Sequence, residues 1–229
     1  MKSAFPLAAL ACASILSFTA ASADAQIIAG EPSEWAGGIT YDYRVNLGMG
    51  SSYSVSAPVG AWSWAQDNYP ANTGWTHTST WYAVTLTEAA TLTLSIVRDA
   101  NVVWIDASNP SGIAGTANMN PAFSIYGGLD NDGSESHQYL NNGPITWAED
   151  ISYIGNAPNG TEPSISKSFS LPAGQYTIVI GSNSLSDDAI RQGYAATFST
   201  SAPVPEPSSA LLAIIGGAGM LLNRRRRSA

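Results

Sequence analysis

The 229-residue chain has a single cysteine, Cys12, and it lies inside an apolar segment near the N-terminus. Removal of that segment on export leaves a chain without a thiol. Disulfides, cysteine metal sites and a cysteine nucleophile are then excluded. Stability outside the cell must come from packing instead of covalent cross-links.

Basic residues are also scarce, and the formal net charge is −8. Between the two terminal segments, the basic residues are Arg44, Arg98, Lys167 and Arg191. Nucleic acid and anionic lipid surfaces both require clustered Lys and Arg, so neither is a predicted partner of this region. A cation or a neutral sugar remains compatible with the acidic composition.

Catalytic motifs are absent from the sequence. The chain has two histidines, His77 and His137, and no His-Glu-x-x-His, Gly-x-Ser-x-Gly, phosphate-loop or dinucleotide-binding pattern. The sequence therefore predicts a protein that is not an enzyme. The alternative is a secreted glycan-active hydrolase or lyase, for which Glu149 and Asp130 are one candidate carboxylate pair.

The N-terminus has the three parts of a secretory signal peptide. Lys2 precedes an apolar run from residue 4 to about residue 18, followed by the overlapping small-residue sites Ala21-Ser22-Ala23 and Ala23-Asp24-Ala25. We expect residues 1–25 to be removed, with cleavage after Ala23 or Ala25. The protein is therefore predicted to be exported.

The C-terminus combines a proline-rich stalk, an apolar run and a basic cluster. The stalk covers residues 203–209, the apolar run residues 210–222, and four arginines follow. Prolines prevent a regular helix in the stalk, while the apolar run predicts a short transmembrane helix of about 20 Å. The arginines are expected to stay in the cytoplasm, which places the rest of the chain outside.

This tail resembles the PEP-CTERM sorting signal of exopolysaccharide-producing Gram-negative bacteria. The residues that carry the resemblance are Pro205, Glu206, Pro207, Arg224, Arg225, Arg226 and Arg227. The resemblance implies an exosortase as partner, membrane attachment through residues 203–229 before processing, and cleavage near Pro-Glu-Pro. It also implies delivery from the inner membrane to the outer membrane, the cell surface or the extracellular matrix. The expected function is that of a non-catalytic envelope or matrix protein associated with exopolysaccharide.

Residues 26–202 are predicted to form one all-β ectodomain, a jelly-roll-like β-sandwich. Alternation places Leu92, Leu94 and Ile96 on one strand face, and Tyr176 and its alternate neighbours on another. Turn formers such as Asn142-Gly143-Pro144 separate the segments. The predicted strands are 41–47, 81–86, 91–96, 101–106, 123–126, 164–171, 175–180 and 194–199.

One stretch in this ectodomain has a more specific pattern. Residues 168–179 read Ser-Phe-Ser-Leu-Pro-Ala-Gly-Gln-Tyr-Thr-Ile-Val, with Pro172 and Gly174 at a tight turn. The pattern is similar to the final hairpin of pre-peptidase C-terminal (PPC-like) sandwich domains. The resemblance implies the sandwich fold and nothing about function.

A calcium site is the first candidate for ligand binding. Asp130, Asp132 and Glu135 follow the strand 123–126 in a glycine-containing loop, and carboxylates at near-alternate positions suit Ca²⁺. Such a site predicts a calcium-binding adhesion module. The alternative is a solvated turn, because Asp-x-Asp-Gly is also ordinary turn chemistry.

Aromatic residues in the first half of the ectodomain are the second candidate. Trp62 and Trp64 are two residues apart, so on a strand they share one face and can stack on a glycan. The alternative is that these rings, like most of the other aromatic side chains, fill the sandwich core.

Overall fold

The computed structural model describes residues 26–29, 39–60, 62–65, 72–104, 113–114, 118–131, 136–158, 161–183 and 191–203. These residues form an all-β structure, as predicted, with one 3-10 turn at Thr76–Thr78. The strands are β1 Gln26–Ala29, β2 Tyr43–Leu47, β3 Ser52–Val59, β4 Thr73–Trp75, β5 Thr80–Leu86, β6 Ala90–Arg98, β7 Val103–Trp104, β8 Ile113–Ala114, β9 Pro121–Gly127, β10 Gln138–Leu140, β11 Ser152–Ala157, β12 Ser164–Leu171, β13 Gly174–Ser182 and β14 Gln192–Ser201.

Two large sheets make the sandwich. The first has the order β1-β2-β5-β13-β9-β11, and the second has the order β12-β6-β14-β3. The chain passes repeatedly between the sheets, for example from β2 to β3 and from β5 to β6, as in a jelly roll. Two small sheets, β10-β4 and β7-β8, lie outside this framework.

The segment with the PPC-like pattern crosses between the sheets. The prediction of a hairpin over residues 168–179 is wrong, because β12 pairs with β6 in one sheet while β13 pairs with β5 and β9 in the other. Leu171 is opposite Ala90, and Gly174 is opposite Leu86. The β5–β6 and β12–β13 connections therefore cross the edge of the sandwich side by side.

The main core lies between the two large sheets. Alternating residues of β6, such as Leu92, Leu94 and Ile96, pack against residues of the first sheet that include Tyr82 and Ile178. This confirms the predicted inward face of β6. Burying these side chains stabilises the sandwich by about 1.5–3 kcal/mol for each large residue.

The outer face of the first sheet is also buried. Its covering side chains form a second cluster with Trp81 and Val179, and they are Ile39, Tyr41, Leu129, Tyr139, Ile145, Ala148 and Ile151. Because both faces are covered, every residue of β13 from Tyr176 onwards is buried, and β9 is buried along most of its length. A sheet with one solvent-exposed face would instead show alternating buried and exposed residues along each strand.

Six strands were not predicted, and one prediction was too long. The unpredicted strands are β1, β3, β4, β8, β10 and β11, whereas the strand expected over residues 101–106 appears in the described part of the chain as Val103–Trp104. The signal peptide, residues 1–25, and the sorting tail from residue 204 onwards lie outside the described residues. In the part of the chain that the structure describes, no helix has the length and apolarity to span a membrane.

Candidate metal centre

The chain's two histidines, 60 residues apart in sequence, come together at the surface. The Nε2 atom of His77 lies 2.8 Å from the Nδ1 atom of His137. The ring centroids are 4.9 Å apart, the ring planes are tilted by 52°, and both residues are exposed. Two imidazole nitrogens at hydrogen-bond distance form a hydrogen bond when one of them carries the proton, or serve as two ligands to one metal ion when each ring carries its proton on the other nitrogen.

Backbone pairing between β4 and β10 brings the two histidines together. Gln138 is opposite Trp75 in this small antiparallel sheet. Just beyond it, the Thr76 amide donates to the His137 carbonyl at 2.9 Å, and the Thr76 hydroxyl donates to the Ser136 carbonyl at 2.9 Å. The 3-10 turn that follows β4 then places His77 beside His137.

Trp75 forms one wall of the site. Its ring stacks on His137 with centroids 5.2 Å apart and planes only 7° from parallel, and its centroid is 6.3 Å from that of His77. An aromatic ring in this position restricts the rotation of the His137 imidazole. The stacking therefore pre-orients one of the two nitrogens.

The layer beneath the histidines is tightly packed. The Trp81 indole donates to the Thr76 carbonyl at 3.0 Å, and the Tyr139 hydroxyl donates to the Ser63 carbonyl at 2.6 Å. A Cβ atom at Gly74 would lie 2.6 Å from both the Ser63 carbonyl oxygen and the Tyr139 ring. Only glycine permits this approach, so β4 is held directly against a rigid support.

A cavity of about 310 Å³ adjoins His77. Its lining includes Asp42, Tyr43 and Arg191 together with the hydroxyl-bearing residues 78–80. The Trp81 amide donates to Asp42 Oδ2 at 2.8 Å. Although Asp42 as a residue is exposed, protein atoms surround its carboxylate, and this desolvation raises the pKa of Asp42 to about 6.

Asp130, one of the three residues of the predicted calcium site, makes hydrogen bonds inside the protein. This residue is completely buried, and its Oδ2 atom accepts a hydrogen bond from the Ile39 amide at 2.9 Å. The Asp130 amide donates to the Tyr41 hydroxyl, so the residue fastens the covering segment at residues 39–41 to the end of β9. Asp132 and Glu135 lie outside the described residues, and the calcium site stays a prediction.

The prediction that Trp62 and Trp64 share one face of a strand is wrong. Both residues lie in a turn, and Trp64 is only 3 % exposed, so its ring cannot stack on a glycan. Trp62 is half-buried and has a φ of 60°, which is unusual for a bulky side chain. A glycan contact by Trp62 remains a prediction, whereas Trp64 belongs to the interior.

Sequence reasoning missed the histidine pair because no local motif joins His77 to His137. The one available signal was that the chain has only these two histidines. In the part of the chain that the structure describes, no cluster of three or more His, Cys, Asp or Glu side chains is arranged to hold a metal. Among the described residues, the histidine pair would therefore supply two protein ligands to a metal ion.

Comparison with known proteins identifies no family. No family model matches the chain, and no curated protein does. Among solved structures, similarity extends to the surface-associated copper-binding protein CorA of Methylomicrobium album BG8, with 16% identity over 69% of this chain and 99% of that one, and a TM-score of 0.46. The pre-peptidase C-terminal domain of a Bacillus anthracis collagenase has 8% identity over 66% and 91% of the two chains, with a TM-score of 0.34. The secreted protein MopE of Methylococcus capsulatus, whose copper binding an oxidized tryptophan facilitates, has 15% identity over 68% and 85%, with a TM-score of 0.33.

Proposed function

We propose that this protein is an exported, non-catalytic metal-binding protein that holds copper between His77 and His137. The observation that carries the proposal is the 2.8 Å separation of His77 Nε2 and His137 Nδ1 at the surface.

The distance between the two nitrogens favours copper over other metals. Imidazole nitrogens bind transition metals at about 2.0 Å. Two ligands at right angles, as in square-planar Cu²⁺, are then about 2.8 Å apart, whereas tetrahedral Zn²⁺ separates them by about 3.3 Å. Nitrogen sites also bind Cu²⁺ more tightly than the other divalent first-row metals. The spacing matches that of adjacent Cu²⁺ ligands, and both rings would rotate so that their nitrogen lone pairs point at the metal.

Titration of the purified chain with Cu²⁺ tests the metal site. We expect one tightly bound copper ion per chain, and a loss of at least tenfold in affinity for both His77→Ala and His137→Ala. Ser54→Ala, which alters an exposed hydroxyl on the opposite sheet, is the matched control and should bind like the unaltered chain. Equal copper affinity in all four proteins would refute the metal site.

Export and sorting form the second part of the proposal. The signal-peptide pattern of residues 1–25 and the PEP-CTERM-like tail support delivery by an exosortase to the outer membrane, cell surface or matrix. N-terminal sequencing should find a mature start after Ala23 or Ala25, and mass spectrometry should find a chain without its apolar tail. A mature chain that ends at Ala229 in the inner membrane of an exosortase-positive host would contradict the sorting.

A second candidate function is contact with exopolysaccharide through the outer face of the second sheet. We call this the hydroxyl face, because its outward positions hold serine or threonine at all but Pro58, Val97, Gly193 and Ala195. The hydroxyl residues are Ser52, Ser54, Ser56, Thr91, Thr93, Ser95, Ser164, Ser166, Ser168, Ser170, Thr197, Ser199 and Ser201. No charged side chain interrupts them, although the chain as a whole is acidic.

The regularity of the hydroxyl face supports a neutral, polyhydroxylated partner. Adjacent strands hold Ser54 and Thr197, and Ser95 and Ser166, with hydroxyl oxygens 2.7 Å apart in each pair. Strand geometry spaces such rows by about 4.8 Å across and 6.8 Å along the sheet. Protein interfaces are depleted in serine, and nucleic acid requires basic residues. A neutral polysaccharide satisfies both restrictions.

Retention on an insoluble neutral β-glucan tests the polysaccharide contact. Ser95→Lys combined with Thr197→Lys places two charges in the centre of the face, and we expect binding to fall at least tenfold. Glu88→Lys is the control, because it adds positive charge at an exposed position in the β5–β6 connection. Retention that is absent, or equal in the two proteins, would remove this candidate.

A further inference from the structure

The cavity beside His77 has the chemical groups of a small-molecule site. Its volume of about 310 Å³ is at the lower end of the range for ligand pockets. Within it are a guanidinium group from Arg191, a carboxylate from Asp42 and an imidazole from His77. These three groups differ in charge and in hydrogen-bonding capacity, so they define an orientation for a polar ligand.

A glycine directly after β3 leaves room for the side chain of Arg191. A Cβ atom at Gly60 would lie 2.7 Å from Thr78 Cβ and 3.0 Å from a terminal guanidinium nitrogen of Arg191. The absence of a side chain at Gly60 therefore allows the guanidinium to lie over the backbone next to Thr78. This brings a cation to the turn that carries His77.

A carboxylate is the group that Arg191 would recognise. Planar guanidinium groups bind carboxylates through two parallel hydrogen bonds. Arg191 is the basic residue that lines this cavity.

The shared residue His77 links the cavity to the metal site. Two histidines leave about two positions of a square-planar copper ion to other donors. A ligand held by Arg191 lies next to His77, one of the two proposed metal ligands. Asp42, also in the lining, provides an acceptor for an N–H group of such a ligand.

We propose that the cavity binds a small α-amino acid, which completes the coordination of copper with its amino nitrogen and one carboxylate oxygen. The second carboxylate oxygen accepts from Arg191, and an amino N–H donates to Asp42. The amino group loses one proton to solvent on binding the metal, and no redox change occurs. This inference rests on the proposed copper site.

Glycine is the probe, added at one equivalent to the copper-loaded full-length chain. Its binding is followed through the visible absorption and EPR spectra of Cu²⁺. We expect glycine to bind at least tenfold more weakly to Arg191→Gln than to the unaltered chain, while copper affinity without glycine stays unchanged. Lys167→Gln removes the same charge at a distant edge strand and should match the unaltered chain.

The two proposals fail in different ways. Glycine binding that is equal in the unaltered chain and Arg191→Gln, or removal of copper by glycine to the same extent in both, would overturn the amino-acid site alone. Absence of copper binding before glycine is added would overturn the metal site itself. If Arg191→Gln does not fold, Arg191→Lys keeps the charge but loses the paired hydrogen bonds, and the inference expects weaker glycine binding there too.

Discussion

The hydroxyl of Tyr82 on β5 lies 2.6 Å from the hydroxyl of Tyr194 on β14, so one hydrogen bond joins the two sheets inside the core. Both residues are completely buried. Burial raises the pKa of each hydroxyl, so both stay neutral and the bond persists at ordinary pH. Tyr43 stacks on Tyr82 with centroids 5.1 Å apart, which extends the contact to β2.

Tyr194→Phe should destabilise the protein by about 1–3 kcal/mol, because the buried Tyr82 hydroxyl loses its partner. Tyr82→Phe combined with Tyr194→Phe removes both hydroxyls and should cost less than the sum of the single changes. Urea unfolding of the four proteins measures this coupling. Strictly additive effects would show that the hydrogen bond contributes nothing to the joining of the sheets.

Gly181→Ala should destabilise the protein by about 1–3 kcal/mol, because overpacking moves the backbone. The new Cβ would lie 2.6 Å from the Ser63 carbonyl oxygen and 2.7 Å from its carbonyl carbon. Gly143→Ala is the matched control, because its Cβ meets only the flexible Leu140 side chain, and we expect a change within about 0.5 kcal/mol. Thermal melting compares them, and similar effects of the two substitutions would contradict the close approach.

Asp42→Asn should remove one pH-dependent contribution to stability. The pKa of Asp42 is raised from 3.8 to about 6, so the folded state binds this proton more tightly than the unfolded state does. Stability from this group is therefore complete below about pH 3.8 and is lost as pH rises through about 6. The melting temperature of Asp42→Asn should rise relative to the unaltered chain across this interval. A constant difference would show that the carboxylate has its ordinary pKa.

Strand alternation predicted three of the four strands of the second sheet, β6, β12 and β14, because the inner face of this sheet is buried and its outer face is exposed to solvent. Leu92, Leu94 and Ile96 show this pattern clearly. The first sheet was harder to predict, since Leu129, Ile145 and Ile151 help to cover its outer face, and β9 is buried along most of its length. β3 was missed because Ala57 and Pro58 weaken its alternation; at the edge of a sheet, however, a proline is tolerated.

The candidate metal centre was beyond sequence reasoning for a different reason. His77 and His137 meet only because β4 and β10, three residues each, pair across a long connection. Strands of this length carry no recognisable periodicity. The turn at Pro172 was predicted to close a hairpin, whereas it connects β12 in one sheet to β13 in the other. A tight turn can have the same local sequence whether it joins two paired strands or two strands of different sheets.

The EPR spectrum of the 1:1 Cu²⁺ complex tests the central claim most directly. Coordination by His77 and His137 predicts nitrogen hyperfine splitting from two imidazoles. That splitting should disappear in the variant that carries both His77→Ala and His137→Ala, which has no histidine left. A spectrum without imidazole splitting in the unaltered chain, or the same copper spectrum in the double variant, would contradict the account.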